Sequence, residues 1–135
     1  MSFVLDASVT MAWLFEDEAS RRTDALLDRL ATEEVLVPSL WAYEVGNVLV
    51  LAERRKRVTE AQARHFTELL SALPIRVVHA SPGTIWDGAT GAARTHGLSV
   101  YDGAYLDLAM REGLPLATGD RTLRAAARKS GVEVL

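Results

Sequence analysis

Asp6, Glu44, Asp102 and Asp120 are the side chains of this sequence best placed to do chemistry. Asp6 closes the apolar run Phe3-Val4-Leu5, and Asp120 follows Leu116-Ala117-Thr118-Gly119. Glu44 and Asp102 fall near the starts of two strongly apolar helical segments. With the runs read as parallel strands, all four acids lie toward one edge of a sheet, the edge where open α/β folds bind ligands. Crowded carboxylates are costly without a cation, so the first chemistry they suggest is a divalent-metal site. Hard cations take oxygen ligands and are held by a few carboxylates. Four acids are enough for one or two Mg²⁺ or Mn²⁺ ions, which activate water and offset charge building on a phosphoryl group. There is no cysteine, and His65, His79 and His96 show no paired ligand spacing, so zinc is disfavoured.

Each acid also has a plainer reading. Asp6 and Asp120 precede helical patterns, and aspartate is a preferred N-cap. Glu44 shares a row with Leu40 and Val48 at i, i+4 and i+8, so its charge needs either a metal or an arginine. Asn47, one turn on, is placed to hold that carboxylate or its water. Asp102 is followed by Leu106 and Ala109 at i+4 and i+7, and a helix N-terminus would favour its charge. Asp107, about 140° round the helix from Asp102, reads as a solvated residue, and Glu16, Asp17 and Glu18 read as an exposed loop. Ser8 and Thr118 stand two residues from Asp6 and Asp120. They could orient water or a phosphate oxygen, or form local hydroxyl-to-backbone bonds.

The elements that must position these residues are short apolar runs alternating with helical patterns. Strands are expected at Phe3–Leu5, Val35–Val37, Ile75–His79, Leu116–Thr118 and Val132–Leu135, rich in Val, Ile and Leu without polar alternation, as in strands covered on both faces. Helices are expected from Ser8 to about Phe15, Ser20 to Ala31, Ser39 to Arg55 and Thr59 to Leu73. Thr59 with Gln62 reads as a capping box. Ser81-Pro82 starts a further helix, and His96-Gly97 and Gly113 with Pro115 stop helices. The order predicts a three-layer α/β/α fold with a central parallel sheet of about five strands. Residues 1–135 are expected to form one domain.

Apolar residues make up 49% and charged residues 24% of the chain, an ordinary globular composition. No basic leader precedes the first acid, and no run approaches the roughly 20 apolar residues of a membrane helix. A cytoplasmic protein with no membrane partner is therefore expected. A net charge of −3 argues against bulk electrostatic wrapping of nucleic acid but not against a local basic surface. Arg54, Arg55, Lys56 and Arg57 form one cluster; Arg121, Arg124, Arg128 and Lys129 follow the last acid. Both also suit helix ends without any ligand. Trp13, Leu14 and Phe15 read as core before partner surface.

Four segments, in order, resemble the PIN-domain ribonucleases, and in particular the VapC toxins of prokaryotic toxin–antitoxin systems. They are Val4-Leu5-Asp6-Ala7-Ser8, Trp41-Ala42-Tyr43-Glu44-Val45-Gly46-Asn47-Val48-Leu49, Ser99-Val100-Tyr101-Asp102-Gly103-Ala104-Tyr105-Leu106 and Ala117-Thr118-Gly119-Asp120. The resemblance covers nearly the whole chain. It implies that Asp6, Glu44, Asp102 and Asp120 are catalytic metal ligands, with Thr118 and Asn47 at accompanying positions. It further implies Mg²⁺- or Mn²⁺-dependent endonucleolytic cleavage of RNA, a homodimer and a VapB-type antitoxin partner. Arg121 and Arg124 are candidates to hold the RNA. Gly103 stands where the family more often has alanine, at a cost in helix propensity of roughly 1 kcal/mol. Two other readings remain at this stage. One is a PIN-like module that binds protein or RNA without cutting. The other is an aspartyl-nucleophile phosphatase, disfavoured because Ser8 stands where such enzymes carry a second aspartate.

Overall fold

The computed structural model describes residues 1–135. Its sheet runs in the order β3-β2-β1-β4, with β1 at Phe3–Leu5, β2 at Val35–Pro38, β3 at Ile75–Val78 and β4 at Leu116–Ala117. All pairings are parallel. Val4 of β1 aligns with Leu36 on one side and Leu116 on the other, and β2 pairs with β3. The unbroken apolar runs of β1, β2 and β4 are buried along their length, as strands covered on both faces must be. Strand β3 is an edge: Arg76 and Val77 are exposed and only Ile75 and Val78 are half-buried.

The sheet has four strands where about five were expected. Val132–Leu135 reaches it only as a single parallel bridge between Val134 and Leu116. Two backbone bonds make that contact, from Leu116 N–H to the Glu133 carbonyl and from Leu135 N–H to the Leu116 carbonyl. The reason lies in β4, which is two residues long. The carbonyl of Thr118, next along the chain, accepts hydrogen bonds from arginine side chains, so no ladder continues there.

Helices cover both faces and complete three layers. In chain order they are α1 (Ala7–Ala12), α2 (Arg21–Arg29), α3 (Leu40–Arg54), α4 (Glu60–Ser71), α5 (Pro82–Thr84), α6 (Thr90–His96), α7 (Val100–Glu112) and α8 (Arg121–Lys129). Their ends follow the chemistry read from the sequence. Thr59 and Gln62 close both bonds of a capping box, Ser81 caps ahead of Pro82, and Gly97 and Gly113 take left-handed φ values of 65° and 64° to end α6 and α7. A π-helical turn, Ile85–Ala89, joins α5 to α6, and Glu16–Glu18 forms an exposed 3₁₀ turn.

The core brings together β1, β2 and β4 with the inner faces of α1, α3, α7 and α8. Tyr105, Leu106 and Leu108 put the centre of α7 beneath the sheet with essentially no exposure. Burying each such side chain stabilises the fold by about 1.5–3 kcal/mol. The chain leaves β1 for β2 on one side and returns to β4 on the other. That reversal opens a crevice beyond the carboxyl ends of β1 and β4, and α1 and α8 begin beside it.

Candidate metal centre

Asp6 stands at the end of β1, 5% exposed. It occupies the N-cap position of α1, yet its carboxylate makes no cap bond. Instead its Oδ2 accepts two hydroxyls, Ser8 Oγ at 2.6 Å and Thr118 Oγ1 at 2.7 Å. Burial pushes the carboxyl above its ordinary range, the two hydroxyl bonds pull it back, and the charge of Asp120 adds to the rise.

Ser8 and Thr118 each work twice. Thr118 Oγ1 accepts the Asp120 N–H at 3.0 Å, and Ser8 Oγ accepts the Gly119 N–H at 3.0 Å. The strand-β1 acid is thus tied to the loop after β4 through two hydroxyls. Asp120 fits the cap reading directly: its Oδ1 accepts the Leu123 N–H at 2.8 Å and starts α8. That bond uses one of its two oxygens.

Glu44, on the second turn of α3, meets Tyr105 of α7, whose Oη donates to Oε1 at 2.6 Å. Burial raises the Glu44 carboxyl, Tyr105 opposes the rise, and Asp6 and Asp102 add repulsion. Asp102 lies in the first turn of α7, which Ser99 caps through the Asp102 N–H at 3.1 Å. Partial burial, with the charges of Asp6 and Asp120, pushes Asp102 up to about 6.

The four acids line one cavity of about 290 Å³, together with Ser8, Met11, Val48 and Glu18. None of the four has an ion-pair partner; every ion pair of the protein involves other acids. The arginine salt bridge considered for Glu44 is therefore absent. As the side chains stand, no three carboxylates are gathered to ligating distance of one point. The donor set is nevertheless all oxygen, uncompensated by any cation and partly withdrawn from water. Such a set fits the oxygen-ligand preference of a hard divalent ion, which Asp6, Glu44, Asp102 and Asp120 would hold.

Other candidates fall elsewhere. Asn47 is exposed, and it is Tyr105, not Asn47, that holds Glu44. Arg121 is exposed, whereas Arg124 turns its Nη1 onto the carbonyls of Thr118 and Leu135 at 2.9 and 3.0 Å. Arg57, from the basic cluster, pairs with Asp17 at 3.0 Å and lies 4.1 Å over the Phe15 ring. Asp107 is not solvated: it pairs with Arg111 at 2.8 Å and is largely covered. Sequence reasoning missed Tyr105, Arg22 and the approach of Glu18 to the cavity. No local signal marks the first two, because their partners lie 61 and 96 residues away.

A parallel α/β/α sheet with this acid cavity at its β1–β4 crevice is the architecture of a PIN domain. The PIN-domain family matches residues 3–129, and the chain belongs to that family. Among its relatives, Ribonuclease VapC3 of Pyrobaculum aerophilum is 34% identical over 124 residues, covering 91% of this chain and 92% of its own length. The crystal structure of PAE2754 from Pyrobaculum aerophilum superposes with a TM-score of 0.73 at 29% identity, over 99% of this chain and 83% of that one. A toxin–antitoxin complex from Klebsiella pneumoniae shares the fold, with a TM-score of 0.65 at 17% identity over 91% of this chain and 90% of that chain.

Proposed function

We propose that this PIN domain is a divalent-metal-dependent ribonuclease and the toxin of a VapBC-type toxin–antitoxin pair. The observation that carries the reading is the cavity formed by Asp6, Glu44, Asp102 and Asp120, four acids from four elements without a basic partner. Its place in a chain 34% identical to a VapC ribonuclease turns a generic cation site toward RNA.

In this reading the four carboxylates would hold one or two Mg²⁺ or Mn²⁺ ions. A bound ion of this kind lowers the pKa of water and offsets charge building on a phosphoryl group. The chain itself supplies the order. Ser8 and Thr118 fix Asp6 through one oxygen, Tyr105 fixes Glu44, and the α8 N-terminus fixes Asp120. Asp102 is held only by the backbone of α7. Hydrolysis forms a bond from water oxygen to phosphorus and breaks one phosphorus–oxygen ester bond, with a proton passing to the departing oxygen. Ser8, whose hydroxyl bonds Asp6 and Gly119, stands where an aspartyl-nucleophile phosphatase carries its second aspartate, which counts against that alternative.

The partners of this reading are RNA, a VapB-type antitoxin and a second copy of the chain, acting in the cytoplasm. No helix is long and apolar enough to cross a membrane. Exposed Tyr43, Ile85 and Tyr101 line an apolar cavity of about 370 Å³, which offers a homodimer apolar surface to bury.

The test uses purified chain free of any antitoxin, with a circular and a linear RNA of the same sequence. Cleavage of both, dependent on Mn²⁺ or Mg²⁺ and lost in Asp6→Asn and Glu44→Gln, is the expected result. Cleavage of the linear form alone would make the activity exonucleolytic. No cleavage of any cellular RNA, with Asp6→Asn as toxic on expression as the unaltered chain, would leave a binding module instead.

A further inference from the structure

The geometry points to Arg22 and Arg124 as positioning residues for Asp6 and Asp120, acting through the peptide plane between Thr118 and Gly119. Arg22 reaches in from α2 and Arg124 from α8. Each donates an Nη1–H to the same Thr118 carbonyl, at 3.2 and 2.9 Å. Neither arginine is paired with an aspartate or glutamate, so these cationic donors are committed to backbone oxygens. Charge-assisted bonds are stronger than neutral ones; the Arg124 bond has the short length typical of them, and the Arg22 bond is the longer of the two.

A trans peptide is planar, with its C=O and N–H pointing in opposite directions, and the chain contains no cis bond. Fixing the Thr118 carbonyl therefore aims the next N–H, that of Gly119, the other way. It points at Ser8 Oγ, 3.0 Å distant. Having accepted that hydrogen, Ser8 gives its own to Asp6 Oδ2 at 2.6 Å. Thr118 repeats the pattern from its side chain, donating to the same Oδ2 at 2.7 Å while accepting the Asp120 N–H at 3.0 Å. Rotation of this one plane would disturb both hydroxyls on Asp6 and the entry to Asp120. The two guanidiniums hold it from outside the cavity, in the way outer partners orient metal ligands.

Both arginines also donate to the Leu135 carbonyl, at 2.5 and 3.0 Å. A competing explanation is that they merely dock the segment bridged to β4 through Val134. Val134→Ala loosens that segment without touching Thr118 and serves as the control.

The inference rests on the metal reading only for part of its test. In metal-free protein, Arg22→Met and Arg124→Met should speed hydrogen exchange at the Gly119 amide while leaving the fold intact, and Arg22→Lys, which keeps one donor, should restore most of the protection. Calorimetry with Mn²⁺ alone should show the dissociation constant raised roughly tenfold in the Met variants, with Val134→Ala near the unaltered chain. Unchanged Gly119 exchange and Mn²⁺ affinity in the double Met variant would overturn the proposal. So would Val134→Ala reproducing both effects. If the unaltered chain binds no Mn²⁺, the metal reading falls, and Gly119 exchange alone decides for or against the arginines.

Discussion

The phenol of Tyr105 lies 2.6 Å from the Glu44 carboxylate and joins α7 to α3 across 61 residues of sequence. Tyr105 is fully buried, and burial together with the hydrogen bond to Glu44 raises its own pKa, so it remains a donor at any ordinary pH. The bond holds an acid that would otherwise be free to swing out of the cavity into water.

Tyr105→Phe keeps the packing and removes only that donor. A hydrogen bond to a charged group contributes about 1.5–3 kcal/mol when well buried, and the partial exposure of Glu44 brings the expected loss to about 1–2 kcal/mol. The urea midpoint at neutral pH should fall with an unchanged slope. An unmoved midpoint would mean that water replaces the phenol without loss. Nuclease activity should fall with the order of Glu44, though less than in Glu44→Gln.

Asp102 differs from its three neighbours in having no side-chain tether, and its value near 6 lies above the ordinary 3.8. The consequence for metal-free stability follows from linkage. Below about 3.8 the group is protonated in both folded and unfolded chains. Between 3.8 and 6 the folded chain holds a proton that the unfolded chain has released, so stability falls as pH rises through this window. Above 6 the full penalty persists. Asp6 and Glu44, raised for the same leading reason, act in the same direction. Asp102→Asn should therefore melt higher than the unaltered chain at pH 8 without metal, with the gap closing toward pH 4. It should also lose most of the stabilisation given by Mg²⁺. A clear drop in metal-free melting temperature at pH 8, with Mg²⁺ stabilisation kept, would make Asp102 a structural residue.

The sequence carried the fold because its signals are local. The apolar runs of β1 and β2, the Thr59–Gln62 box and the glycines after α6 and α7 each state their structure within a few residues. Val132–Leu135 shows the limit: its composition suits a strand, but strand status needs a partner ladder, and β4 offers only Leu116. The site divides the same way. The four acids could be placed at one sheet edge from the element order alone. Which side chain holds which acid could not, since Asn47 is one turn from Glu44 yet faces solvent while Tyr105 arrives from another helix. The cause of the raised carboxyls also needed the structure. Like-charge crowding is the cause that spacing suggests, but burial contributes most at Asp6, Glu44 and Asp102, and repulsion comes after it.

Gly103 gives the last prediction, because helix propensity and packing demand opposite outcomes there. Alanine in the interior of α7 would gain about 1 kcal/mol of propensity. A Cβ at Gly103, however, would fall far inside van der Waals contact with the backbone carbonyl oxygen of Ala89, in the π-helical turn, and press on the Ala93 amide at 3.3 Å. Backbone of a packed helix cannot step aside as a side chain can, and overpacking of this kind costs about 1–3 kcal/mol. Gly103→Ala should therefore lower the melting temperature despite its better propensity. Gly88→Ala is the contrast: the atoms nearest its Cβ are the carboxylate end of Asp107, at 2.5 Å, a side-chain end that can swing away at the expense of its pair with Arg111. It should leave stability within about 0.5 kcal/mol of the unaltered chain. Melting curves of the two variants decide the matter. If Gly103→Ala proves the more stable, α7 and the π-helical turn are not held as close as their packing indicates, and the first turn that presents Asp102 has room to move.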